Sequence, residues 1–67
     1  MTQYEMGLSV MDFLQNLGID MITIGDFVED KMLKKSYQII KNNPKANKKE
    51  IMEKLNQALN SQRNNQM

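Results

Sequence analysis

Residues 39–59 read IIKNNPKANKKEIMEKLNQAL, a pattern that predicts the end of one helix, a proline turn and the beginning of a second helix. Pro44 has no backbone N–H to donate, and its ring disfavours the helical conformation for the residue before it. We therefore expect the first of these two helices to stop near Asn42 or Asn43.

The second helix of this pair has a clear start and a single apolar face. Asn47 and Glu50 have the spacing of a capping box, in which the Asn47 side chain accepts from the free Glu50 amide and the Glu50 side chain reaches back. A helix is therefore predicted over residues 48–60. Its apolar residues recur at the spacing that an amphipathic helix requires. They are Ile51, Met52, Leu55, Ala58 and Leu59.

A similar pattern nearer the beginning of the chain predicts another helix. Ser9 and Asp12 resemble a capping box, and the apolar residues that follow have helical spacing. Gly18 is suited to the left-handed conformation that closes many helices. We therefore expect a helix over residues 10–17, preceded by a flexible segment of residues 1–8.

Residues 18–24 allow two interpretations, because their β-branched side chains suit a short extended segment as well as a turn. The chain contains no second strand pattern, so a strand here requires a second copy of the protein. We favour a turn that places Ile19, Met21 and Ile22 on the core.

The longest predicted helix runs over residues 24–42, where Thr23 and Asp26 provide a third capping pattern. Acidic residues lie near its beginning and lysines near its end, an arrangement that favours the helix dipole. Its apolar residues cover so wide an arc that this central helix should contact neighbours on two sides. One neighbour is helix 10–17, and the other is helix 48–60 or a second subunit.

Size and composition favour one small all-α domain. The chain has 67 residues and neither cysteine nor histidine, which excludes disulfides and the usual zinc ligands as extra stabilisation. A chain this short buries a limited core, and oligomerisation is the remaining way to enlarge it. We therefore expect a three-helix domain over residues 9–60, a flexible polar tail over residues 61–67, and a homodimer.

The charges are divided unevenly along the chain. Residues 1–30 carry six carboxylates and no basic residue, whereas residues 31–67 carry nine basic residues and two carboxylates. One interpretation is a pair of solvated faces that partly neutralise each other in the folded chain. The other is a basic surface for nucleic acid or for an acidic partner.

Residues 36–59 resemble the middle of helix-turn-helix and winged-helix DNA-binding domains. The matching residues are Asn43, Pro44, Lys48, Lys49, Glu50, Ile51, Glu53, Lys54 and Leu55. This resemblance implies a helix-turn-helix-like hairpin and DNA binding by the basic half of the chain. The residues expected to contact nucleic acid are Lys41, Lys45, Lys48, Lys49 and Arg63. In those families a recognition helix and a wing follow, and residues 60–67 lack the apolar positions that would dock such a helix.

Catalysis has no support in the residue inventory, because histidine and cysteine, the commonest catalytic bases and nucleophiles, are absent. Gly7, Gly18 and Gly25 are too scattered for a phosphate-binding loop, and the acidic residues lack the spacing of a calcium loop. We expect no catalytic residue, no cofactor and no metal site.

The favoured function is therefore the binding of another protein. Met11, Phe13 and Ile19 are expected to be exposed and to contact the partner. The many Lys, Asn and Ile residues and the small size suggest a phage or mobile-element protein that modulates a host transcription regulator. No signal peptide is expected, because the first thirty residues contain no Lys or Arg. No membrane-spanning segment is expected, because Asp12, Asn16 and Asp20 interrupt the longest apolar stretch, residues 8–24. The absence of cysteine fits a cytoplasmic location.

Overall fold

The computed structural model describes the backbone of residues 2–64 and the side chains of residues 2–62. This part of the chain forms four α-helices and contains no strand, which confirms the all-α class. The helices are α1 (Gln3–Asn16), α2 (Met21–Phe27), α3 (Asp30–Asn42) and α4 (Lys48–Asn64). The predicted number of three helices is wrong, because the long central helix is divided in two.

α1 begins at Gln3, well before the predicted start at residue 10. Its N-cap is Thr2, whose hydroxyl oxygen accepts from the Glu5 amide at 3.1 Å, while the Thr2 amide donates to Glu5 Oε1 at 3.3 Å. The capping box therefore lies at Thr2 and Glu5, and Ser9 lies inside the helix. Met6 packs against the core and extends the apolar stripe by one turn.

Gly18 closes α1 in the left-handed conformation, with φ of +84°, as predicted. The Ile19 amide donates to the Leu14 carbonyl at 3.1 Å, and the Gly18 amide donates to the Gln15 carbonyl at 2.9 Å. These two bonds form a Schellman motif, which satisfies carbonyls that the helix end leaves free. Both Ile19 and Leu14 are buried in the core, as is common for this motif.

α2 occupies part of the segment that was expected to be a turn. Its N-cap is Asp20, which accepts from the Thr23 amide, so the predicted cap at Thr23 is wrong by one turn. Ile24 and Phe27 are buried. Met21 and Ile22 are exposed at 51% and 86%, so the prediction that they lie on the core is also wrong.

The break at residues 28–29 has a geometric reason. In one continuous helix, Ile24 and Phe27 would point almost opposite to Leu33 and Ile40, because each residue rotates the side-chain direction by about 100°. Residues 28–29 leave the helical path, and Glu29 has the extended conformation of an N-cap. This change of direction allows both pairs of side chains to enter the same core.

α3 is the centre of the fold and packs against each of the other three helices, most extensively against α1. Its buried residues are Met32, Leu33, Ser36 and Ile40. The wide apolar arc is thus covered within one chain. The prediction of neighbours on two sides holds for the monomer, and this helix no longer supplies the reason for a homodimer.

The turn between α3 and α4 follows the predicted pattern, except that among the described residues the Glu50 side chain makes no hydrogen bond to the Asn47 amide, so only one half of the predicted capping box forms. α3 ends at Asn42, the Ala46 amide donates to the Asn43 carbonyl across Pro44 at 3.1 Å, and the Glu50 amide donates to Asn47 Oδ1 at 2.9 Å. α4 then begins at Lys48, as predicted.

α4 returns antiparallel along α3. Its first residue reaches Gly18, since Lys48 Nζ lies 3.5 Å from the Gly18 carbonyl oxygen, and near its end Gln62 Nε2 donates to the Lys31 carbonyl at 2.9 Å. The helix continues past the predicted end at residue 60. The predicted polar tail of residues 61–67 is therefore helical as far as residue 64, and residues 65–67 lie outside the described part of the chain.

Candidate functional site

One flank of α1 carries large apolar side chains that the core does not cover. Tyr4 is 75% exposed and Leu8 is 48% exposed. These two residues are four positions apart, so they are neighbours on the same side of the helix. Met11 extends the same row by another turn and is half-buried.

This row forms one wall of a groove that we call the first groove. Its opposite wall comes from the junction of α2 and α3, where Val28 and Leu33 lie. Gly7 at its base adds no side chain. The groove has a volume of about 340 Å³ and is open to solvent, so it suits a few side chains of another molecule better than an enclosed ligand.

The charge around the first groove is negative. Asp30 lines it, Glu29 precedes Asp30 at the N-cap of α3, and both are exposed. Among the side chains that the structure describes, no lysine or arginine lines the groove, and the sequence before Lys31 contains no basic residue. The site therefore combines an apolar floor with an acidic rim.

A second groove lies on the other side of α1, against the end of α3. It has a volume of about 460 Å³, and Phe13, Tyr37 and Pro44 give it an apolar lining. Asp12 and Lys41 also line this second groove. Both charged side chains are exposed, so its rim carries one charge of each sign.

The three residues expected to contact a protein partner occupy three different environments. Met11 lines the first groove, and Phe13 lines the second. Ile19 is only 6% exposed and belongs to the core, so the prediction that it is exposed is wrong. The reason is the Schellman motif after α1, which turns the Ile19 side chain back onto Leu14.

Tyr4 and Leu8 were missed because residues 1–8 were expected to be flexible. Thr2 and Glu5 have the spacing of a capping box, and Tyr4, Leu8 and Met11 have helical spacing. The sequence therefore contains the signals for a longer first helix and for an apolar row along it.

The basic residues expected to contact nucleic acid are exposed along α3, the turn and α4. Lys41 lies in the last turn of α3, Lys45 in the connection, and Lys48 and Lys49 at the start of α4. The backbone of Arg63 belongs to α4, but its side chain lies outside the described residues.

Other lysines extend this basic surface. Lys31, Lys34 and Lys35 are exposed on α3, on the side away from its buried residues. Their spacing with Lys41 already indicates one face of a helix, which the sequence reasoning did not use for binding.

Two further observations concern the part of the chain that the structure describes. None of its helices has both the length and the apolar character needed to cross a membrane. No three acidic side chains in these residues come together in an arrangement that could hold a metal ion.

Comparison with known proteins gives no match to any family model, to any curated protein or to any solved structure. The functional argument therefore rests on the grooves and on the charged surfaces described above.

Proposed function

We propose that this chain is a small non-enzymatic binding protein whose first groove receives apolar side chains of another protein. The observation that carries the proposal is the exposure of Tyr4 and Leu8 beside an open apolar groove. Neither side chain stabilises the monomer core, and both gain free energy when a partner removes them from water. Tyrosine is also among the residue types that contribute most to binding at protein interfaces.

We propose further that the partner is a host transcription regulator and that the chain comes from a phage or mobile element. The residue choice, rich in Lys, Asn and Ile, and the small size support this part of the proposal. A homodimer, also proposed, would use the second groove, whose two opposite charges suit pairing with an identical surface.

The test of the binding function is a selection from a displayed library of helical peptides. Peptides that bind the purified chain should bind the variants Leu8→Gln and Tyr4→Ala at least about tenfold more weakly, which is the range expected for interface hot spots. Ile22→Gln is the matched control, because Ile22 is 86% exposed on α2 and does not line the groove. A library that yields no binder, or binders that Ile22→Gln weakens as much as Leu8→Gln does, contradicts the proposal.

A second candidate function is DNA binding by α3 and α4. The observation that favours it is the run of exposed lysines from the outer side of α3 to the start of α4. If these lysines neutralise phosphates, the affinity for duplex DNA must fall steeply with salt, because counterions are released on binding. The triple variant in which Lys45, Lys48 and Lys49 are changed to glutamate should then abolish binding. Salt-independent binding, or binding that survives the triple substitution, rules out this candidate.

A further inference from the structure

We infer that the segment which occupies the first groove is a basic amphipathic helix of a partner protein. This inference rests on the proposed function, because it assumes that the groove binds a protein. It adds the chemical character of the partner, which follows from the charge around the groove, the shape of the groove, and the poor fit of a second copy.

The charge argument begins with the residues that surround the apolar floor. Asp30 is the charged side chain that lines the groove, and Glu29 is next to it. Among the described residues, neither carboxylate accepts a hydrogen bond. Lys31 and Lys34 are exposed in the first turns of α3, but neither lines the groove. A partner with lysine or arginine beside its apolar residues can pair with Asp30 and Glu29, whereas an acidic partner meets like charges.

The shape argument concerns the secondary structure of the occupant. The described residues contain no strand, so this site offers no sheet edge to an extended peptide. The wall formed by Tyr4, Leu8 and Met11 spans eight residues of α1, or about 10 Å for seven steps of 1.5 Å each. That length corresponds to two turns of a partner helix, which would insert apolar residues at positions i, i+3 or i+4, and i+7.

A second copy of this chain is a poor occupant of the first groove. Pairing of two such grooves about a twofold axis brings the same surface of each copy together. Asp30 and Glu29 of one copy would then find no described lysine or arginine in the partner's groove to pair with, and unpaired like charges in an interface oppose binding. The second groove, which carries Asp12 and Lys41, does not have this problem.

The experiment uses the full chain and two synthetic helical peptides of equal length. Both peptides carry leucine at positions i, i+3, i+4 and i+7, and their remaining positions alternate glutamine with lysine in one and with glutamate in the other. Fluorescence anisotropy at low salt should show the lysine peptide binding at least about tenfold tighter than the glutamate peptide. The ratio should decrease at high salt, because exposed charges are screened.

Substitutions separate binding in the groove from general attraction of a basic peptide to the acidic residues elsewhere on the chain. Leu8→Gln should weaken the lysine peptide about tenfold without changing the net charge. Asp30→Asn should weaken it about two- to fivefold, the effect of one exposed ion pair, and leave the glutamate peptide unchanged or slightly tighter. Asp12→Asn is the matched control, because Asp12 is an exposed acid of the second groove. Circular dichroism of each variant confirms that it folds.

The outcomes distinguish this inference from the function on which it rests. Equal affinity for the two peptides, a preference for the glutamate peptide, or lysine-peptide binding that Leu8→Gln does not affect overturns the basic partner. Absence of binding to both peptides overturns it as well. In each of these cases library binders that remain sensitive to Leu8→Gln and Tyr4→Ala preserve the binding function. Self-association that Leu8→Gln abolishes would identify a second copy as the occupant and overturn the inference.

Discussion

Ser36 is the polar side chain that the described core encloses completely, and its hydroxyl oxygen has no hydrogen-bond partner there. A buried hydroxyl without a partner loses its hydration and gains nothing in return. Alanine also has a higher helix propensity than serine. We therefore expect Ser36→Ala to leave stability unchanged or to raise it by up to about 1 kcal/mol in urea unfolding.

The contrast with a larger residue checks the environment of Ser36. Ser36→Leu should destabilise the chain by about 1–3 kcal/mol, because the leucine side chain has two more heavy atoms than serine and the packed interior has no room for them. Ser9→Ala is the control on an exposed site of α1, where only the small difference in helix propensity applies. A loss of more than about 1 kcal/mol on Ser36→Ala would mean that the hydroxyl has a stabilising partner.

Asp20 predicts a specific dependence of stability on pH. The Thr23 hydroxyl donates to Asp20 Oδ1 at 2.7 Å, and this bond, with the backbone amides of the cap, lowers the pKa of the carboxyl below 3.8. Because the folded pKa lies below that of the unfolded chain, ionised Asp20 favours folding. Its contribution is present above about pH 4 and is lost as the pH falls through the folded pKa.

Thr23→Val removes the hydroxyl and keeps the branched shape, so the pKa of Asp20 should move upwards towards its usual value. Carbon-detected NMR titration of the carboxyl measures this shift directly. Thr23→Ser keeps a hydroxyl and should keep the pKa low. The loss of thermal stability between pH 5 and pH 2 should be smaller in the valine variant, and an unchanged titration curve would assign the shift to the backbone amides alone.

At the scale of elements, the glycine before α2 and the glycine inside it should respond to alanine in opposite directions. Gly18 has φ of +84°, and a methyl group added there meets no atom within 4 Å, so the cost of Gly18→Ala is conformational. We expect a destabilisation of about 1–2 kcal/mol. Gly25 lies inside α2, and its added methyl group also meets open space. There alanine should stabilise by about 0.5–1 kcal/mol. Thermal unfolding of both variants is the measurement, and a shift in the same direction would contradict the assignment of the Gly18 turn.

The element boundaries that were predicted correctly depend on local chemistry. The left-handed Gly18, the proline turn and the Asn47 cap each use a residue that meets its own backbone requirement within a few positions. The sequence pattern around such residues is sufficient, because the interaction that defines the boundary is itself local.

The break between α2 and α3 was not predicted, because its cause is tertiary. No proline, glycine or side-chain cap lies at residues 28–29 to mark the break. The break is favoured because it brings the side chains of Phe27 and Leu33 into one core. The same wide apolar arc predicted one helix with neighbours on two sides, the second of them helix 48–60 or a second subunit. One continuous helix with neighbours on two sides and two helices joined by a break have the same apolar pattern. Only the path of the backbone in the structure distinguishes them.

At the scale of the whole molecule, the four helices bury ten apolar residues in a single core, and the two grooves lie on either side of α1. Only Met11, of the three residues in the exposed row, was predicted to contact a partner. The spacing of Tyr4 and Leu8 indicates a helix, but their exposure depends on how α1 packs against α3 and on where α2 ends. We propose that the first groove binds the partner protein and that the second groove binds a second copy of the chain.

The proposed homodimer gives the last prediction. A twofold axis through the second groove would bring Asp12 of one protomer towards Lys41 of its partner, and Lys41 towards Asp12, so that both ion pairs would form at once. Phe13 and Tyr37 supply apolar area beneath them. Sedimentation should show a dimer with a dissociation constant near 100 µM, a weak interface of about −5 kcal/mol.

Asp12→Lys and Lys41→Asp should each weaken the dimer by bringing like charges together, and the double variant should restore the dimer. Ile22→Gln is the control and should leave the dimer unchanged, because Ile22 is exposed on α2 and does not line the second groove. Because Asp12 and Lys41 line the same groove within one chain, the unfolding free energy of each variant is measured in parallel. A monomer mass at all concentrations, or single substitutions that do not change the dimer, would show that the second groove is not an interface between copies.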